Sequence, residues 1–193
     1  MRIAFSRTEL RDLAKAWLLS SLAFAIALKG LSMNLLYAIP LALLTAGIGI
    51  ILHELMHKFT AARFGIHSEF RSFDFMLVVS VAISVFGFIF LAPGAVFMDA
   101  RFLDRRKNGI ISLAGPLTNI VLALLCVPLM LLPIPVLGLV AAYGFMINSW
   151  LGFFNLLPFW NLDGTKVMMW KPLVFWPMIM LAALMAFSGY FFG

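Results

Sequence analysis

Charge is scarce in this chain. Only 11% of its 193 residues are Asp, Glu, Lys or Arg, against roughly a quarter in an ordinary soluble domain. With hydrophobic residues at 64% and a mean hydropathy of +1.06, too little polar surface exists to cover a water-soluble particle. A soluble globular domain is thereby excluded, and lipid must solvate most of the outside. Cysteine is nearly absent as well. Cys126 stands alone inside the apolar run 121–132, so no internal disulfide can form, and it reads as a small core residue. No repeat, low-complexity tract or soluble appendage is visible in these residues, and nothing resembles a nucleic-acid motif. The net charge of +6 comes from short basic clusters between apolar runs, where Lys and Arg meet cytosol and anionic headgroups.

What the chain does have is long apolar runs. About 20 helical residues cross the hydrocarbon core, and suitable stretches lie at 13–31, 34–64, 109–132, 136–157 and 172–192. Arg2, Arg7, Arg11 and Lys15 before the apolar stretch 16–28 raise the idea of a cleaved signal peptide. Glu9, Asp12 and the further runs downstream favour a retained first span. The 12 Met and 20 Phe read as lipid-facing or packing residues.

The run 73–97 needs a separate decision, which the basic residues supply. As a full span, with the N-terminus inside, it would leave seven of the 14 basic residues on each side. As a segment that enters and leaves on one side, it leaves Lys29 alone outside and 13 inside. The second arrangement follows the positive-inside rule. The local sequence allows it: a helix from Phe75 to about Val85, a turn near Gly87, and an extended return 88–97 broken at Ala92-Pro93-Gly94. Before it, 66–71 alternates in a two-residue period and predicts a short strand. The expected fold class is therefore an all-α polytopic membrane protein of five to six transmembrane helices. A small re-entrant or β segment sits between the second span and the span that begins near Gly109.

One pentapeptide carries chemistry. His53-Glu54-Leu55-Met56-His57 is an HExxH motif on a predicted helix, and it uses two of the chain's three histidines. Residues four apart share a helix face, so both imidazoles can reach one tetrahedral zinc, with Glu54 beside them to take a proton from activated water. Ionisable groups inside a span cost about 2.5–3.5 kcal/mol each on insertion scales, which weighs against a merely structural role. A third protein ligand is required. The extended motif HExxHxxGxxH is ruled out by Thr60 and Arg63, leaving His67, Glu69, Asp74, Asp99, Asp104 and Asp163. Asp163 stands out, following an apolar run and preceding Gly164. With 73–97 turning back, the end of the second span and the span before Asp163 emerge on the same side. With a sixth span they would not.

HELMH, Asn155-x-x-Pro158-x-x-x-Leu162-Asp163-Gly164 and Ala114-Gly115-Pro116-Leu117-Thr118-Asn119 together resemble the site-2 protease family of intramembrane metalloproteases. The resemblance covers a core of roughly 46–167 within a single membrane domain, 1–193. It implies one zinc per chain held by His53, His57 and Asp163, with Glu54 as catalytic acid and base. It implies also that Asn155 helps hold substrate near the metal, and that Gly115, Pro116 and Asn119 shape the site. The expected substrates are transmembrane proteins cut in or near their spans, in a prokaryotic cell membrane, with N-terminus and active site facing the cytosol. Many relatives carry a PDZ or cystathionine-synthase-like domain, for which these 193 residues leave no room. The rival expectation is a transporter or channel relaying protons or metal ions through the same His, Glu and Asp residues. The lack of paired half-repeats counts against it.

Overall fold

The computed structural model describes residues 4–89 and 92–192. Arg2, counted among the basic residues, and Phe90 and Leu91 of the expected extended return lie outside the described residues. The chain is mainly helical. Helix α1 (Arg7–Lys29) starts at Ser6, whose hydroxyl accepts from the Glu9 amide at 3.0 Å, and ends where Gly30 takes a positive φ. Helix α2 (Leu35–Ala42) passes through a π-helical turn at Leu43–Gly47 into α3 (Ile48–Arg63), making one rod of 29 residues. The wide turn frees a carbonyl, and the Trp17 indole donates to Leu43 at 3.1 Å.

The C-terminus of α3 is closed by Gly65 at φ 73°. The Gly65 amide donates to Ala62 and the Ile66 amide to Ala61, while Ile66 buries itself in a cluster with Ala61 and Ile111. These paired bonds complete a Schellman cap and satisfy the last carbonyls of the helix. The strand expected over 66–71 is observed as β1 (Ser68–Ser72), because Ile66 is spent on the cap. Helix α4 (Asp74–Ser84) follows, then a turn at Gly87, then β2 (Gly94–Met98). The strands pair antiparallel from Ser68↔Met98 to Ser72↔Gly94. At 1.5 Å per residue, the 11 residues of α4 reach about 17 Å, short of the roughly 30 Å core. The pairing of Ser72 with Gly94 brings the two flanks of this stretch together.

A single 3-10 turn (Ala100–Phe102) leads to α5 (Arg105–Met130), capped by the Asp104 carboxylate, which accepts from the Lys107 amide at 2.7 Å. Helices α6 (Pro135–Asn155), α7 (Asp163–Trp170) and α8 (Pro172–Phe192) complete the chain. Helix α5 packs against α3, α6 and α7, and so forms the spine of the bundle. Among the described residues, three helices are long and apolar enough to cross a membrane: Leu35–Arg63, Arg105–Met130 and Pro135–Asn155. Helix α1 carries five charges in its first nine residues, and the described part of α8, Pro172–Ser188, is shorter.

A buried ion pair fixes the strand pair to the bundle. Lys58 on α3 meets both oxygens of Glu9 on α1 at 2.8 Å and donates to the Ser68 carbonyl at 3.0 Å. Glu9 in turn accepts from the Phe70 amide at 3.0 Å. Phe70, Leu13 and Ala16 pack together around this clamp, with Ile51, Leu55 and Val96 against them. Glu69 and Arg71 pair with each other at 2.9 Å on β1, and His67 precedes the strand.

Candidate metal centre

Helical spacing places His53 and His57 on one face of α3, buried, with their rings edge-to-face and centroids 4.7 Å apart. Asp163, the first residue of α7, comes to them across the bundle. Its Oδ2 lies 3.3 Å from His53 Nε2 and 3.1 Å from His57 Nε2, and the three ligand atoms fall within 4.8 Å of one another. Tetrahedral ligands about 2.1 Å from a zinc are roughly 3.4 Å apart, so the spacing fits. Leu162, not Asp163, is the N-cap of α7, and it makes no side-chain cap bond. The Asp163 side chain is therefore turned to the histidines and not to its own helix end. Its second oxygen faces Lys166 at 3.8 Å.

The far nitrogens of both rings are already engaged. His57 Nδ1 lies 2.7 Å from the Ile111 carbonyl, which can only accept. His53 Nδ1 lies 2.6 Å from the Asn119 side-chain oxygen. With Nδ1–H donating in each case, both Nε2 lone pairs face Asp163, the arrangement that metal-binding histidines use.

Space for an ion comes from Gly115 on α5. A Cβ there would stand 2.5 Å from His53 Nε2 and 2.4 Å from His57 Nε2. Pro116 is fully buried, and its carbonyl lies close to Gly152 on α6, where α5 and α6 approach each other. Glu54 is buried between the two histidines in sequence. Asn155 donates to the Leu151 carbonyl of its own helix at 2.9 Å. Of the residues the sequence singled out, the structure thus gathers His53, His57, Asp163, Gly115 and Asn119. The other ligand candidates lie elsewhere: Glu69 and Asp74 belong to β1 and α4, and Asp99 pairs with Arg101 at 2.6 Å.

Sequence reasoning overlooked Asn148 on α6, whose side-chain oxygen accepts from Asn119 at 3.0 Å. It overlooked the Ile111 carbonyl and Lys166 too. The available signal for Asn148 was an amide inside an apolar span, where such groups bond between helices.

Comparison with known proteins gives concordant matches. The model of peptidase family M50 matches residues 41–136. A protein of Methanocaldococcus jannaschii named "Putative zinc metalloprotease MJ0611" is 40% identical over 173 residues, 88% of each chain. A Mycolicibacterium smegmatis protein named "Putative zinc metalloprotease Rip2" is 38% identical over 86 residues, 38% of this chain and 33% of that one. No solved structure matches significantly.

Proposed function

This chain belongs to peptidase family M50, and on that premise we propose an intramembrane zinc endopeptidase that cuts other membrane proteins in or beside their spans. The observation that carries this reading is the convergence of two imidazole nitrogens and one carboxylate oxygen on a space kept clear by Gly115. In it, His53, His57 and Asp163 hold one zinc per chain, as the names of both relatives suggest. Bound there, zinc supplies Lewis acidity, polarising a peptide carbonyl and bringing the pKa of water toward 7. Glu54 takes the proton of the attacking water and later delivers it to the leaving amine. Asn155, in the segment that leads to Asp163, contacts the substrate backbone.

A helical substrate has its carbonyls tied up in its own backbone bonds, so it must be unwound before cleavage. The strand pair supports a way to do this. Phe70 turns its amide away from β2 to Glu9, so Phe70↔Val96 is a non-hydrogen-bonded pair. Val96 therefore points its own amide and carbonyl to the outer edge of β2. The outer edge of β1 is occupied by Glu9, Lys58 and Asp12. Among the described residues, no hydrogen bond claims Val96 on the outer edge of β2. An extended segment adds there as a third strand.

In this reading α1, the α2–α3 rod, α5, α6 and α8 are full spans, residues 73–93 are re-entrant, and the N-terminus and metal centre face the cytosol of a prokaryotic cell. Metal analysis beside a cleavage assay tests the core of it. Wild type and Glu54→Gln should each carry about one zinc per chain, while cleavage falls by about 10²–10⁴-fold in the variant. Undiminished cleavage by Glu54→Gln would remove that residue from its role. A wild type without zinc would remove the reading itself.

A further inference from the structure

We propose that Asn148 is a positioning residue of the metal centre: it locks the Asn119 amide, and through it the His53 tautomer that leaves Nε2 free. The proposal rests on the zinc reading above and adds to it a residue outside every motif described so far.

The two histidines are held differently. His57 faces a main-chain carbonyl, which cannot donate, so its Nδ1 must carry the proton. His53 faces a primary amide, which can present either an oxygen or an NH2 group. If the amide turned over, its NH2 would meet Nδ1, the ring proton would move to Nε2, and that nitrogen could no longer bind a metal. Something must hold the amide one way round.

Two acceptors do so. Asn119 Nδ2 donates to the Gly49 carbonyl at 3.1 Å and to Asn148 Oδ1 at 3.0 Å. A reversed Asn119 would set its oxygen against both. Asn148 is itself an amide, and its direction is set by Nδ2 donating to the Gly144 carbonyl at 2.9 Å. The chain of bonds therefore begins at main-chain carbonyls on α3 and α6 and ends at the nitrogen of His53. Asn119 is fully buried and Asn148 is 4% exposed.

The surrounding backbone makes room for this relay. A Cβ at Gly49 would stand 2.4 Å from Asn148 Oδ1, so α3 can approach only because residue 49 is glycine. Asn148, Gly49 and Gly144 also border a cavity of about 110 Å³ between α3, α5 and α6. A shortened side chain at 148 opens into that space without overpacking.

The test compares zinc affinity by chelator competition, and the visible spectrum of the cobalt-substituted protein, in wild type, Asn148→Ala, Asn119→Asp and the double variant. Asn148→Ala should weaken zinc about 10- to 100-fold and alter the cobalt spectrum. A carboxylate at 119 accepts from His53 whichever way it turns, and its other oxygen only opposes Asn148 Oδ1, so Asn148→Ala should cause no further loss in the Asn119→Asp background. An unchanged affinity and cobalt spectrum in Asn148→Ala would overturn the proposal. So would an equal loss in both backgrounds, which is what a merely structural role predicts. A wild type that binds no zinc would instead overturn the zinc reading.

Discussion

Gly115 contributes nothing but the lack of a side chain, and the metal centre depends on it. Gly115→Ala would ordinarily help a helix by about 1 kcal/mol. Here the added methyl would lie within 2.5 Å of both imidazole nitrogens, so the variant should lose about 1–3 kcal/mol to overpacking and bind zinc at least about tenfold more weakly. Equilibrium dialysis against a zinc chelator, beside a thermal melt in detergent, separates the two effects. Residues of this kind differ in how far they can be read from sequence. His53 and His57 are legible because four-residue spacing is a property of any helix. Asp163 is legible only once the topology is settled, since 106 residues separate it from His57. Asn119 was expected to shape the site and is found bonded to a ligand ring. Asn148 sits at no diagnostic spacing, and only packing of α6 on α5 reveals its partner.

At the scale of elements, α3 is held at its C-terminal end by charge as well as by its cap. Lys58 and Glu9 are 5% and 0% exposed, and neither has water to fall back on. Lys58→Met should cost about 3–5 kcal/mol by stranding the Glu9 carboxylate, and adding Glu9→Gln should recover much of it. Chemical unfolding of the four proteins in detergent measures the coupling. For β2 the expectation is of another kind. Val96→Pro removes an outward donor without breaking the bonds to β1, so zinc content should stay near one per chain while cleavage of a helical substrate falls several-fold. Unchanged cleavage would sink the edge-strand role. The strand itself was legible from its alternation, but its start was not, because the Ile66 amide serves two candidate structures and the helix cap wins it. The π-helical turn left no mark in the hydrophobic pattern at all. It becomes visible only through Trp17, which takes up the Leu43 carbonyl.

For the molecule as a whole, the contacts gather particular ends. The start of α1 meets the end of α3 through Glu9 and Lys58, the start of α5 meets the end of α3 through Ile111 and His57, and α7 reaches α3 through Asp163 while packing against α5. Single cysteines in a Cys126→Ser background, probed with a membrane-impermeant maleimide in intact cells, should therefore sort by end. Positions 67, 103 and 161 should share one accessibility and positions 32 and 133 the opposite. Position 103 siding with 32 and against 67 would break the five-span reading. The five-span layout is an expectation from charge counting, which depends on composition near the membrane faces and not on any contact. The order of packing around α5 was not legible, since apolar surfaces of similar composition do not name their partners. The pairing of Ser72 with Gly94 has a last consequence, one of parity. An excursion whose two ends are laced together adds an even number of crossings, whatever its length. In the five-span reading that number is zero, so 73–93 can lengthen or shorten without sending Asp163 to the wrong face.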